Sequence, residues 1–103
     1  MDKFYNYEEA LKNPLEVKSL VFLFNNSYHP YTTTLPDKRI KTLINLEKLY
    51  IGGFNGKHID LPDEIEELKK LKDLSIYAEN LVEIPKVIWK LEPVKNYVFL
   101  NMR

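Results

Sequence analysis

Leu71-Lys72-Asp73-Leu74-Ser75-Ile76, followed by Leu81, Ile84-Pro85, Ile88, Leu91 and Val94, is the stretch on which the fold turns. Leu74 and Ile76 share one face at the two-residue period of a strand. After Ile84-Pro85 the apolar residues Ile88, Leu91 and Val94 recur every three positions, which suits a short helix or 3₁₀ turns. The unit therefore switches from period two to period three and returns to a branched apolar residue after 23 positions.

The same pattern recurs on both sides. Leu46-Glu47-Lys48-Leu49-Tyr50-Ile51 is a strand, and Leu61-Pro62-Asp63-Glu64-Ile65-Glu66-Glu67-Leu68 leads back to Leu71. Upstream, Val17-Lys18-Ser19-Leu20-Val21-Phe22 is a strand completed by Leu35-Pro36, Ile40, Leu43 and Leu46. Downstream, Val94-Lys95-Asn96-Tyr97-Val98-Phe99 opens a fourth unit. The units start at 17, 46, 71 and 94, at spacings of 29, 25 and 23.

An L-x-x-L-x-L strand followed by an L-P-x-x-I-x-x-L segment resembles the leucine-rich repeat family. The resemblance covers roughly 85 of the 103 residues and implies a short right-handed α/β solenoid. About four parallel strands would form its concave face, with short helices or 3₁₀ turns on the convex side. Residues 1–16 would form an N-terminal helical cap. The family carries Asn three residues after the last strand Leu; here Asn25 fits, but Phe54, Glu79 and Met102 stand at the other positions. Turns after those strands are therefore expected to be irregular.

The whole chain of 103 residues is expected to be one domain, with no room for a second core. Fifteen basic and fifteen acidic residues cancel, which leaves no electrostatic footprint for nucleic acid. No apolar run approaches membrane-spanning length, so no membrane partner is expected. Without cysteine there is neither a disulfide nor a thiolate metal site, as suits a reducing cytosol. Met1-Asp2-Lys3-Phe4-Tyr5 lacks the apolar run of a signal peptide, making a cytoplasmic location the default; export is compatible with a leader already removed.

Asn6-Tyr7-Glu8-Glu9 reads as a helix start, with Asn as cap and two acids at the positive end of the dipole. That helix should stop near Asn13, before Pro14, with Phe4, Tyr7, Ala10 and Leu11 covering Val17, Leu20 and Phe22. The first unit is about six residues longer than a 23-residue unit, and most of the excess falls in Asn25–Thr34, which holds Tyr28, His29 and Tyr31. These are loop candidates for recognition; the alternative is a length variation folded back on the scaffold. Gly52, Gly53 and Gly56 cluster after the second strand, and an irregular turn is expected there. Asp63–Lys72 runs from acidic to basic, as a solvated convex segment would. Trp89 is expected to cover the core in part, or, if exposed, to be a second contact.

Alternation sends Leu20 and Phe22, Leu49 and Ile51, Leu74 and Ile76, and Tyr97 and Phe99 inward. It sends three rows outward: Ser19, Lys48, Asp73, Asn96; Val21, Tyr50, Ser75, Val98; and Leu23, Gly52, Tyr77, Leu100. The candidate partner-binding face is Val21, Leu23, Lys48, Tyr50, Gly52, Asp73, Tyr77, Asn96, Val98 and Leu100, with Gly52 leaving a dip. Apolar and aromatic residues rimmed by polar ones mark protein contacts, although the same residues are also good strand formers.

No catalytic, cofactor or metal site is expected. His29 and His58 lie at no ligand spacing, and no Ser, His and acid converge. Implied by the resemblance is a non-catalytic module that binds a protein partner through the concave sheet. Two alternatives remain open: an inhibitor or immunity-type protein sequestering one enzyme or toxin, and a truncated repeat with no dedicated partner. The uncapped last strand, in Tyr97 to Arg103, is expected to pair with a second copy in a homodimer, the alternatives being a partner that supplies the cap and a frayed end.

Overall fold

The computed structural model describes residues 2–24 and 35–91, and the backbone path of 96–102. Five strands lie in one sheet in chain order, all parallel: β1 (Lys3–Phe4), β2 (Ser19–Leu23), β3 (Lys48–Asn55), β4 (Asp73–Glu79) and β5 (Asn96–Met102). Four of these are the strands expected from the sequence. The two-residue β1 is an addition, held beside β2 where Lys18 and Ser19 amides donate to the Asp2 carbonyl at 2.9 and 3.0 Å.

Between β1 and β2 stands the helix α1 (Tyr7–Lys12), within the expected bounds. The Glu9 amide donates to Asn6 Oδ1 at 3.1 Å, which satisfies a group the first turn leaves open. Asn13 closes the helix, its amide donating to Ala10, and Pro14 stops it. Tyr7 and Ala10 are buried, the Tyr7 ring 5.3 Å from that of Phe22, while Phe4 and Leu11 pack partly against the same core.

The other connections carry one 3₁₀ helix each: η1 (Lys38–Thr42), η2 (Asp63–Glu67) and η3 (Lys86–Lys90). Each follows an apolar-Pro pair, and the proline fixes an extended entry with no amide to leave unpaired. Three residues per turn then stack the apolar positions on one face. Ile40, Ile65 and Ile88 are buried, and Leu43, Leu68 and Leu91 donate their amides back to those isoleucines at 3.0, 3.2 and 3.1 Å.

The core lies between these segments and one face of the sheet. Leu20, Phe22, Leu49, Ile51, Leu74 and Ile76, the residues expected inward, are all buried there. Each such side chain stabilises the fold by roughly 1.5–3 kcal/mol through removal from water. By register Tyr97 stands beside Leu74, and Phe99 beside Ile76.

Around the glycines the backbone is irregular, as expected, but the irregularity lies inside the strand. β3 does not end in an irregular turn at Gly52 but continues to Asn55, with a bulge between Ile51 and Phe54. Gly53 takes a φ of +73°, and a Cβ there would overlap the Phe24 carbonyl oxygen, so glycine is required. Past the bulge the Phe24 and Phe54 rings meet edge to face at 5.6 Å. One position after the expected Asn, the Asn80 side-chain amide donates to Asn55 Oδ1 at 3.0 Å, with Asn80 left-handed at φ 63°. The turns after β3 and β4 thus share an Asn contact displaced by one residue from the expected position. The loop candidates Tyr28, His29 and Tyr31, and Asn25, lie outside the described residues.

Candidate binding face of the sheet

Parallel pairing carries the outward residues into rows across the strands. The first row runs Lys3, Ser19, Lys48, Asp73 and Asn96, each in register with the next. The second runs Val21, Tyr50, Ser75 and Val98; the third runs Leu23 and Gly52, then, across the bulge, Tyr77 and Leu100. Asn96, Val98 and Leu100 are placed by backbone register only. Tyr5, one residue past the Phe4–Leu20 pair, extends the second row beside Val21.

Two residues expected on this face differ from expectation. Gly52 leaves no dip, because the Tyr50 ring lies over it: a Cβ on Gly52 would stand 2.6 Å from Tyr50 Cε1. Val21 is buried, at 8% exposure, although it points to the open face. Its neighbours in the row, Tyr5 and Tyr50, flank it with large rings. Alternation decides which face a side chain leaves from; its neighbours decide how much water reaches it.

The remaining members stay accessible. Lys48 and Tyr50 are exposed, while Leu23, Asp73 and Tyr77 are half-buried. The Tyr50 and Tyr77 rings lie 5.2 Å apart at 35°, an aromatic pair on the open face. Beside it opens a cavity of about 510 Å³. Val21, Leu23, Tyr5 and Tyr50 supply its apolar wall, and Ser19 and Ser75 its hydroxyls. Its charged lining consists of Lys3, Lys48 and Asp73. The Lys3 ammonium sits over the Tyr5 ring, 5.4 Å from the centroid.

Sequence reasoning missed Lys3 and Tyr5. The alternation Lys3-Phe4-Tyr5, with only Phe4 turning inward, is the signal that was available. It spans too few residues to stand out as a strand.

Away from this face, Trp89 is 69% exposed on η3, so it does not cover the core. His58 Nδ1 lies 3.1 Å from Glu83 Oε1 beside a second groove of about 310 Å³, lined by Asp60, Asp63 and Lys86. A further polar cluster ties α1 to η1. The Tyr7 hydroxyl donates to Asp37 Oδ1 at 2.9 Å, and Arg39 bonds both Asp37 and Glu8 through paired contacts. The Arg39 guanidinium, and then the Tyr7 hydroxyl, hold the Asp37 carboxyl down at about 2. Burial, and then the Asp37 carboxylate, push the Tyr7 phenol far above its usual value.

Among the described residues no three His, Cys, Asp or Glu side chains are grouped to hold a metal ion, and no helix is long and apolar enough to cross a membrane. Comparison with protein-family models, with curated proteins and with solved structures returns no match.

Proposed function

We propose that this chain is a non-catalytic protein-interaction module of leucine-rich-repeat type, a short solenoid that binds a protein partner on the open face of its sheet. The observation that carries the reading is the Tyr50–Tyr77 pair, 5.2 Å between centroids, set on a rigid parallel sheet beside an open cavity. Tyrosine offers large contact area at low entropic cost and is enriched where protein partners meet. After Ser19 in the first row, the charged Lys48 and Asp73 form the polar rim, with Asn96 next to them by backbone register. Support for the repeat architecture comes from the three apolar-Pro-3₁₀ segments that follow three strands in turn.

The test is affinity capture with the wild-type chain beside Tyr50→Ala/Tyr77→Ala, followed by titration of the purified captured protein. Both rings lie outside the core, so the double variant should stay folded at a cost of about 1–3 kcal/mol. A partner bound by the wild type and lost by the variant is expected. Equal binding by both overturns the assignment of this face.

A second contact is proposed at β5. Among the described residues it pairs on one side only, and Asn96–Met102 contains neither charge nor proline to discourage pairing. Twofold pairing of β5 with a second copy would continue the sheet. A monomer by light scattering at high concentration overturns it.

A further inference from the structure

We infer that the cavity between β1 and β3 receives an acidic side chain from an extended segment of the partner, with an adjacent apolar side chain seated against the exposed Tyr5 and Tyr50 rings. This rests on the protein-binding reading above and adds the chemistry of the partner's contact.

Charge carries the argument. In a chain whose formal charges sum to zero, the lining of this cavity holds two ammonium groups and one carboxylate. Lys3 and Lys48 lie on opposite sides of Ser19 in one row, so their backbones are two strand spacings, about 10 Å, apart. Both are exposed, and no carboxylate among the described residues lies within ion-pair distance of either. A carboxylate above Ser19 would meet both lysines on their flexible stems and the serine hydroxyl beneath. Seating the Lys3 ammonium over the Tyr5 ring restricts its freedom before a ligand arrives.

The apolar wall gives the second half of the specificity. Val21 lies at the floor beside Ser19's row, with Tyr50 and Tyr5 as its flanks. Because the Tyr50 ring leans over Gly52 toward Tyr77, it bounds the cavity rather than filling it. An acidic residue with an aromatic or branched neighbour therefore matches both parts. A basic segment would meet two like charges against the single Asp73 carboxylate.

The experiment is peptide display on the full chain, with one library of peptides flanked at both ends and one with a free C-terminus. Wild type should enrich internal peptides that carry Asp or Glu beside an aromatic or branched aliphatic residue. A synthetic capped peptide of that class should lose about tenfold in affinity when its acid becomes the amide. A similar loss should follow with Lys3→Gln/Lys48→Gln, two exposed sites outside the core. Enrichment without an acidic preference, or equal affinity for the lysine variant, overturns the inference while leaving the tyrosine face standing. Enrichment confined to the free C-terminus overturns the side-chain source. If no enriched peptide depends on Tyr50 and Tyr77, the underlying reading fails together with it.

Discussion

Tyr50 and Gly52 leave the same face of one strand two residues apart, and the ring of the first closes over the second. The space a side chain at 52 would occupy is already taken, with Cε1 2.6 Å and the hydroxyl 3.1 Å from where its Cβ would be. The ring is thereby aimed at Tyr77, on the neighbouring strand. Glycine at 52 thus serves the placement of a tyrosine rather than an opening in the surface.

Gly52→Val should expel the Tyr50 ring without harming the fold. The atoms it would meet are the far end of a side chain that can rotate into solvent, and the backbone there takes no left-handed angle. Losing the ring pair would cost about 0.5–1.5 kcal/mol, partly offset by valine's preference for strands. Partner binding should fall as in Tyr50→Ala, while the urea midpoint moves little. Full binding in Gly52→Val would show that the ring's placement is irrelevant.

One residue on, Gly53→Ala should behave differently. Its positive φ and the Phe24 carbonyl leave no room for a methyl group, and backbone cannot swing aside. A cost of about 1–3 kcal/mol is expected in chemical denaturation. Loss of the Phe24–Phe54 edge contact should accompany it in near-ultraviolet spectra. Two adjacent glycines, one tolerant and one not, would distinguish a placement role from a backbone one.

The inward alternation was legible because burial repeats it: Leu20, Leu49 and Leu74 stand in one line at 29- and 25-residue spacing, and the third residue of each following 3₁₀ segment is an isoleucine buried in the same core. Propensity and period agree there. The outer face was legible as rows but not as a surface, since alternation is silent on where the Tyr50 ring turns and on what shades Val21. β1 escaped notice because two residues carry no period. Nor does any local pattern couple Tyr7 to Asp37, thirty residues away, which meet only once α1 and η1 stack.

Burial differences predict a sharp contrast between two apolar residues. Leu74 is fully buried, so Leu74→Ala should cost about 2–5 kcal/mol, the lost transfer energy plus the cavity left behind. Trp89, at 69% exposure, should change stability by no more than about 0.5 kcal/mol when replaced by alanine. Urea titration of both variants checks this. A large loss for Trp89→Ala would mean that the indole packs against something the fold needs.

The Tyr7–Asp37 bond sets how stability responds to pH. The Asp37 carboxyl is lowered from 3.8 to about 2, so its contribution is complete above pH 4 and disappears as pH falls toward 2. The Tyr7 phenol is raised above its usual 10.0, so the native state resists its ionisation and stability falls as pH rises beyond 10. Tyr7→Phe keeps the ring in place against Phe22 and removes the hydroxyl, at about 0.5–1.5 kcal/mol. It should flatten the alkaline decline relative to wild type, while the acid decline largely persists because Arg39 is the main influence on Asp37. Asp37→Asn should abolish the acid component instead. Thermal melts of the three chains from pH 2 to 11 give the comparison, and parallel alkaline curves for wild type and Tyr7→Phe would remove Tyr7 as their cause.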